Sequence, residues 1–265
     1  MKFFFRKKQK SVKKQRLNVM RFIFRRKQKS GKKQELTGKV SILIPTMFDS
    51  KYILDLCIKS MIKNTIYPNY QIIVCDCGLD EQSQKYLQDL KEKKTIKLIK
   101  AIDIERPKDD LVKAVDSEYY IIMHDDIRIL KKGWLRRRLE LLARDEHNAV
   151  VGSIKDNEFS KNRNSRRFFP LGLLVKTEVS KKLNLVWGSQ GKFNTGAVAY
   201  NKFFAQRKYK FVPHRFSKDI FHFSEMTWPK MHLSRGNLYP GLAERLRKRR
   251  EKLKRIKKIL AKKAY

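Results

Sequence analysis

Cysteine is nearly missing from this chain. Three in 265 residues, Cys57, Cys75 and Cys77, is an odd and low count that argues against a disulfide scaffold and fits a reducing compartment. Cys75 and Cys77 fall on one face of a predicted strand, but no second pair completes a tetrahedral metal site, so buried packing is their expected role. No apolar run approaches the ~18 residues of a membrane span. The apolar part of the basic N-terminus, Phe3 to Phe5, is too short for a signal peptide.

Acid is the second scarcity: 26 Asp and Glu stand against 64 Lys and Arg, a formal charge of +38. The imbalance is concentrated. Residues 1–39 hold 16 cations and one acid, Glu35, and residues 241–265 hold 12 cations against Glu244 and Glu251. The stretch between carries +13, ordinary for a folded domain. A polyanionic neighbour is expected: anionic membrane, nucleic acid or an acidic polymer. Solvated tails with no partner would share this composition.

What is present divides the chain in three. Residues 1–38 are a basic extension containing a duplication, in which KFFFRKKQKSVKKQRL (Lys2–Leu17) recurs as RFIFRRKQKSGKKQEL (Arg21–Leu36) with 11 of 16 positions identical. Aromatics beside basic runs suit an anionic lipid surface, or nucleic acid. Residues 39–240 form the expected globular domain. Residues 241–265 read as a basic amphipathic helix with Leu242, Leu246, Leu253, Ile256 and Leu260 on one side, able to lie on a membrane or against a partner.

Apolar strand patterns at Lys39–Pro45, Tyr70–Cys75, Thr95–Ile102, Tyr119–Met123 and Ala149–Ile154 alternate with helical spacing at Tyr52–Asn64, Asp80–Lys91, Leu111–Val115 and Trp134–Leu142. Asp80 is the expected cap of its helix. This alternation predicts an α/β fold with a Rossmann-like, mostly parallel sheet flanked by helices, whose ligands bind beyond the carboxyl ends of the strands. Asp49, Asp76 and the pair Asp125–Asp126 all fall just after predicted strands. Beyond residue 155 the pattern is less regular. Phe159–Pro170 reads as a basic loop, Leu171–Leu183 as a strand leading into a helix, and Gly188–Gly196 as a loop. Ala197–Gln206 reads as an aromatic helix, and KYKFVP and IFHFSEMTW as short strands.

Two stretches resemble family 2 glycosyltransferases of the GT-A fold. VSILIPTMFDSKYILDLCIKSMIKNTIYPNYQIIVCDCGLDE (Val40–Glu81) is similar to the family's opening strand, helix, second strand and first acidic turn. SEYYIIMHDDIRILKKGW (Ser117–Trp134) is similar to its metal-binding strand and the helix that follows. The resemblance implies a nucleotide-sugar donor, with Pro45, Thr46 and Asp49 bordering base and ribose and Asp76 reading the base edge. Lys108 and Asp109 would stand near the sugar phosphate. Asp126 would ligate Mn²⁺ or Mg²⁺, Asp125 would position ribose or metal, and His124 replaces the first acid of the family's Asp-x-Asp. His222 matches a late His ligand, with His214 a weaker choice. The implied activity is metal-dependent, inverting transfer from a UDP-sugar to a glycan or lipid-linked acceptor. By their composition the basic tails would hold the chain in the cytoplasm, at the inner membrane face. One departure concerns the general base, because no acid occurs between Gly191 and Pro213. Asp219 and Glu225 are the nearest later carboxylates. Two other readings stay open: a GT-A-like module that binds donor without transferring it, and a nucleic-acid-binding protein.

Overall fold

The structure, a computed structural model, describes residues 37–48, 51–104, 106–156, 166–188, 196–223 and 242–262. The duplicated extension, Asp49, Glu225 and most of the predicted 159–170 loop lie outside them.

Strand β1 (Val40–Phe48) is apolar on both faces and buried along most of its length, the mark of a central strand. It pairs in parallel with β2 (Tyr70–Leu79) on one side and with β4 (Tyr119–Ile122) on the other. With β3 (Lys97–Lys100), β6 (Asn148–Asp156), β7 (Arg166–Lys176) and β8 (Lys210–Pro213) they form a sheet of order β3-β2-β1-β4-β7-β6-β8. Only β7 runs against its neighbours in this sheet. The chain steps outward from β1 through β2 to β3, then returns to β1's other side as β4. The β1/β4 gap is therefore a topological switch point, where parallel sheets place their ligands.

Local chemistry explains the helices. Asp80 caps α2 (Glu81–Glu92) as expected, its carboxylate accepting from the Ser83 amide at 2.9 Å. Trp134 opens α4 (Trp134–Leu142) after Gly133, whose φ of 68° is left-handed. Its indole N–H donates to the Thr65 hydroxyl at 2.9 Å, which satisfies the polar atom of a buried aromatic. Helix α1 (Lys51–Asn64) buries Ile53, Leu54, Leu56, Cys57, Ile58, Ser60 and Met61. So broad a stripe has protein on more than one side.

Three features depart from the sequence expectations. Arg166–Pro170, read as loop, belongs to β7. Phe168 and Phe169 there enter core clusters on opposite faces of the sheet, and this burial overrides the basic flanks. Asp125 and Asp126 do not end the chain's extended path, because Ile127–Ile129 forms β5, which pairs antiparallel with β9 (Ile220–His222) in a separate ribbon. The basic terminal helix, here α7 (Leu242–Ala261), packs its apolar stripe against protein: Ile256 is fully buried against Ile53 and Leu56 of α1. The short helices α3 (Pro107–Lys113), α5 (Thr177–Lys182) and α6 (Ala197–Phe204) complete the fold.

Candidate active site

Register brings the acids together. The β1/β4 pairing ends at Leu43–Ile122, followed by one bond from the Met123 amide to the Leu43 carbonyl. Pro45, two residues on, has no N–H to extend the ladder on that side, and the gap opens there. On its other side β1 stays paired with β2, so Thr46 lies beside Asp76. The Thr46 hydroxyl reaches into the gap and donates to Asp125 Oδ2 at 2.8 Å. Asp76 and Asp125 thus flank one residue, about two strand spacings or 10 Å apart.

The turn after β4 and the ribbon beyond it supply a second cluster. Asp126 Oδ1 lies 3.0 Å from His222 Nε2 and 3.9 Å from His124 Nδ1. The two ring nitrogens are 3.4 Å apart. The β5–β9 pairing sets Ile127 opposite His222, and the Phe223 amide donates to the Asp126 carbonyl at 2.8 Å. A two-stranded ribbon of three residue pairs therefore holds together residues almost a hundred positions apart. Asp125 and Asp126 are buried, which is costly for carboxylates without positive partners. Burial pushes His124 down to about 3 despite the Asp126 charge beside it, so its imidazole is neutral and its lone pair available. Two imidazole nitrogens and a carboxylate oxygen, all within 4.8 Å of one another, suit a divalent cation. Ligand atoms about 2.1 Å from one ion sit about 3 Å apart in adjacent octahedral positions. Imidazole in the set suits transition-metal ions better than Mg²⁺.

The surroundings complete the electrostatics. Lys108 on α3 is held below its ordinary value by burial, against the opposing pull of Cys77, Asp109 and Asp125. Cys57 of α1 underlies the acidic turn, its thiol donating to the His124 carbonyl at 3.7 Å. Burial, then Asp125 and Asp126, push it well up, so it stays a neutral thiol.

Other expected site residues are placed differently. Asp76 Oδ1 accepts from the amides of Gly78 and Leu79 at 2.9 and 3.0 Å. Asp109 is an anchor: its carboxylate accepts from the Trp187 amide at 2.6 Å, from the Gly188 amide and from Arg106 Nε at 3.0 Å. Asp219 sits apart from Asp126. The Leu130 amide donates to its carbonyl, which puts it about four residues, or some 13 Å, along the ribbon. Its carboxylate binds Arg137 at 2.7 Å, Arg138 at 3.2 Å and His214 at 3.3 Å. That ion cluster carried no sequence signal, since it joins Asp219 to Arg137 and Arg138, 82 and 81 positions away. His214 belongs to it and not to the His124–Asp126–His222 group. Glu225 and Asp49 lie outside the described residues.

With this geometry in view, residues 41–210 match the profile of the family described as Glycosyl transferase family 2. The chain belongs to this family. Solved structures agree on the fold. The mannosyltransferase PcManGT from Pyrobaculum calidifontis, in complex with GDP-Man and Mn²⁺, is 15% identical with a TM-score of 0.50 over 67% of this chain and 55% of that one. Residues 1–349 of S. aureus TarS give 14% identity and a TM-score of 0.51 over 72% of this chain and 62% of that one. The family 2 chain described here thus spans under two thirds of either relative. No curated protein sequence matches it.

Proposed function

We propose that this family 2 protein is a metal-dependent glycosyltransferase that moves a sugar from a UDP-linked donor to a glycan or glycolipid acceptor with inversion. The observation that carries this reading is the meeting of His124 Nδ1, Asp126 Oδ1 and His222 Nε2, at the switch point where Thr46 binds Asp125. That a structure of the same fold holds GDP-Man and Mn²⁺ agrees with it.

In this reading His124, Asp126 and His222 hold the cation, Mn²⁺ in preference to Mg²⁺. When bound, the ion neutralises negative charge growing on the departing diphosphate. The Thr46 hydroxyl fixes Asp125 toward the ribose, and Pro45 with Asp49 borders base and ribose. Asp76, its Oδ1 held by two amides, presents its other oxygen to an imide N–H of the base. Lys108 adds positive charge beside the phosphates. Asp109 fixes the Trp187–Gly188 backbone and so acts at one remove from the sugar. A single displacement inverts the anomeric centre, with the acceptor hydroxyl proton passing to a carboxylate base. Asp219 is engaged by two guanidiniums, which leaves Glu225, three residues beyond His222 in sequence, as the base we favour. The acceptor lies at the inner membrane face, with residues 1–38 as a tether.

Hydrolysis of UDP-sugars with Mn²⁺ tests the reading, wild type against Asp126→Ala. Equal turnover in the variant would overturn it. The engagement of Asp219 favours one alternative, a donor-binding module without transfer. Saturable UDP binding with no transfer to any acceptor would establish that instead.

A further inference from the structure

The apolar stripe of α7 is already occupied. Ile256 is fully buried, and Leu253, Ile259 and Leu260 pack with it against Tyr52, Ile53 and Leu56 of α1 and against Phe223. A helix held this way has no apolar face left to insert into lipid. What it turns outward is charge: Arg247, Lys248, Arg250, Lys254, Arg255, Lys257, Lys258 and Lys262 are exposed. The two acids of the helix, Glu244 and Glu251, both bind Arg247, and no acid follows Glu251. The result is a cationic ridge from Arg247 to Lys262, about 23 Å long. Lys257 also lies over the Tyr52 ring at 4.3 Å, which ties the ridge to α1 a second time.

The ridge borders the catalytic edge. Phe223, in the same apolar cluster, follows His222 directly, and its amide holds the Asp126 carbonyl. Phe221, on the same face of the chain as Phe223 with ring centroids 5.0 Å apart, is 51% exposed. An exposed aromatic beside a row of cations matches an anionic bilayer, where rings sit at headgroup level and lysines meet lipid charge. Phe221 is a single ring, and the exposed positions of α7 add no aromatic on which successive bases could stack, which favours a bilayer over nucleic acid.

We propose that the outward face of α7, with Phe221, is the surface by which this protein lies on an anionic lipid bilayer, with the His222–Asp126 edge held alongside. Binding is electrostatic and superficial rather than insertive. It brings a membrane-borne acceptor to the cleft, a consequence that rests on the proposed transferase reading. The binding itself needs neither donor nor turnover, so the two readings can fail separately.

The test is co-sedimentation of the full chain with vesicles of phosphatidylcholine alone and of equimolar phosphatidylcholine and phosphatidylglycerol, without nucleotide. The expected result is binding to the anionic vesicles only, lost on adding salt. Lys254→Gln/Arg255→Gln/Lys258→Gln should weaken it on the order of a hundredfold, about fivefold per charge, with circular dichroism unchanged. The matched variant Lys13→Gln/Lys14→Gln/Arg16→Gln controls for the other basic segment and should lose less. Phe221→Ser should weaken vesicle binding severalfold and leave oligonucleotide binding unchanged. Wild-type affinity retained in the α7 variant would overturn the proposal, as would tighter binding to a single-stranded oligonucleotide than to anionic vesicles at the same salt.

Discussion

The Thr46 hydroxyl donates to Asp125 Oδ2 at 2.8 Å across the gap between β1 and β4. Both residues are almost fully buried. One bond thus joins the end of the first strand to the acidic turn 79 residues later, and it sets the direction of a carboxylate at the mouth of the cleft. Thr46→Val keeps the shape and removes the donor. Leaving a buried carboxylate short of one bond costs about 1–3 kcal/mol. Thermal unfolding should show that loss, and UDP affinity measured by calorimetry should fall with it. Thr46→Ser should restore both, because it keeps the hydroxyl.

Asp219 is engaged in an ion cluster, and its removal should show in stability first. Arg138 is fully buried, and its Nη1 is shared between the Trp134 carbonyl and Asp219. Asp219→Asn leaves that guanidinium uncompensated, at a cost of about 3–5 kcal/mol. Chemical denaturation of the variant measures this directly. A variant of wild-type stability would contradict the assignment.

The same carboxylate gives a pH dependence with a definite sign. Burial pushes Asp219 up, but Arg138, Arg137 and His214 together hold it below its ordinary value. A carboxyl depressed in the folded state contributes stability fully above its unfolded value, near pH 4, and loses it as pH falls through the lower folded value. The wild type should therefore shed more stability than Asp219→Asn as pH is lowered below about 4. Parallel melting curves across that range would contradict the ion-pair account.

Docking of α7 should be felt at the metal ligands. Ile256→Ala removes a fully buried side chain from the contact with Ile53 and Leu56, costing about 2–5 kcal/mol. Because Phe223 shares that cluster and directly follows His222, Mn²⁺ affinity should fall severalfold in the same variant. An unchanged Mn²⁺ affinity alongside the lost stability would separate the helix from the site.

Much of this was legible in the sequence, for physical reasons. The runs of β1, β2 and β4 are apolar on both faces, so burial alone marks them as central parallel strands, and acids just past their ends point to the cleft. Trp134 and the Asp80 cap were readable because their signals are local. The β5–β9 ribbon was not, since three-residue strands carry no period and pair residues far apart in sequence. For the same reason the meeting of His214 with Asp219, Arg137 and Arg138 was invisible. The family resemblance puts Asp109 on the phosphate side; its bonds to the Trp187 and Gly188 amides, which depend on a loop 78 residues away, had no sequence signal. The apolar stripe of α7 was correctly placed, but amphipathicity cannot say whether lipid or protein covers it.

The most direct measurement is Mn²⁺ binding by electron paramagnetic resonance in the presence of UDP, for wild type, Asp126→Ala and His222→Ala. Changes outside a metal's own ligands already cost about 10–100-fold in affinity, so each of these variants should lose at least about a hundredfold. Wild-type Mn²⁺ affinity in both would contradict the claim that His124, Asp126 and His222 share one ion.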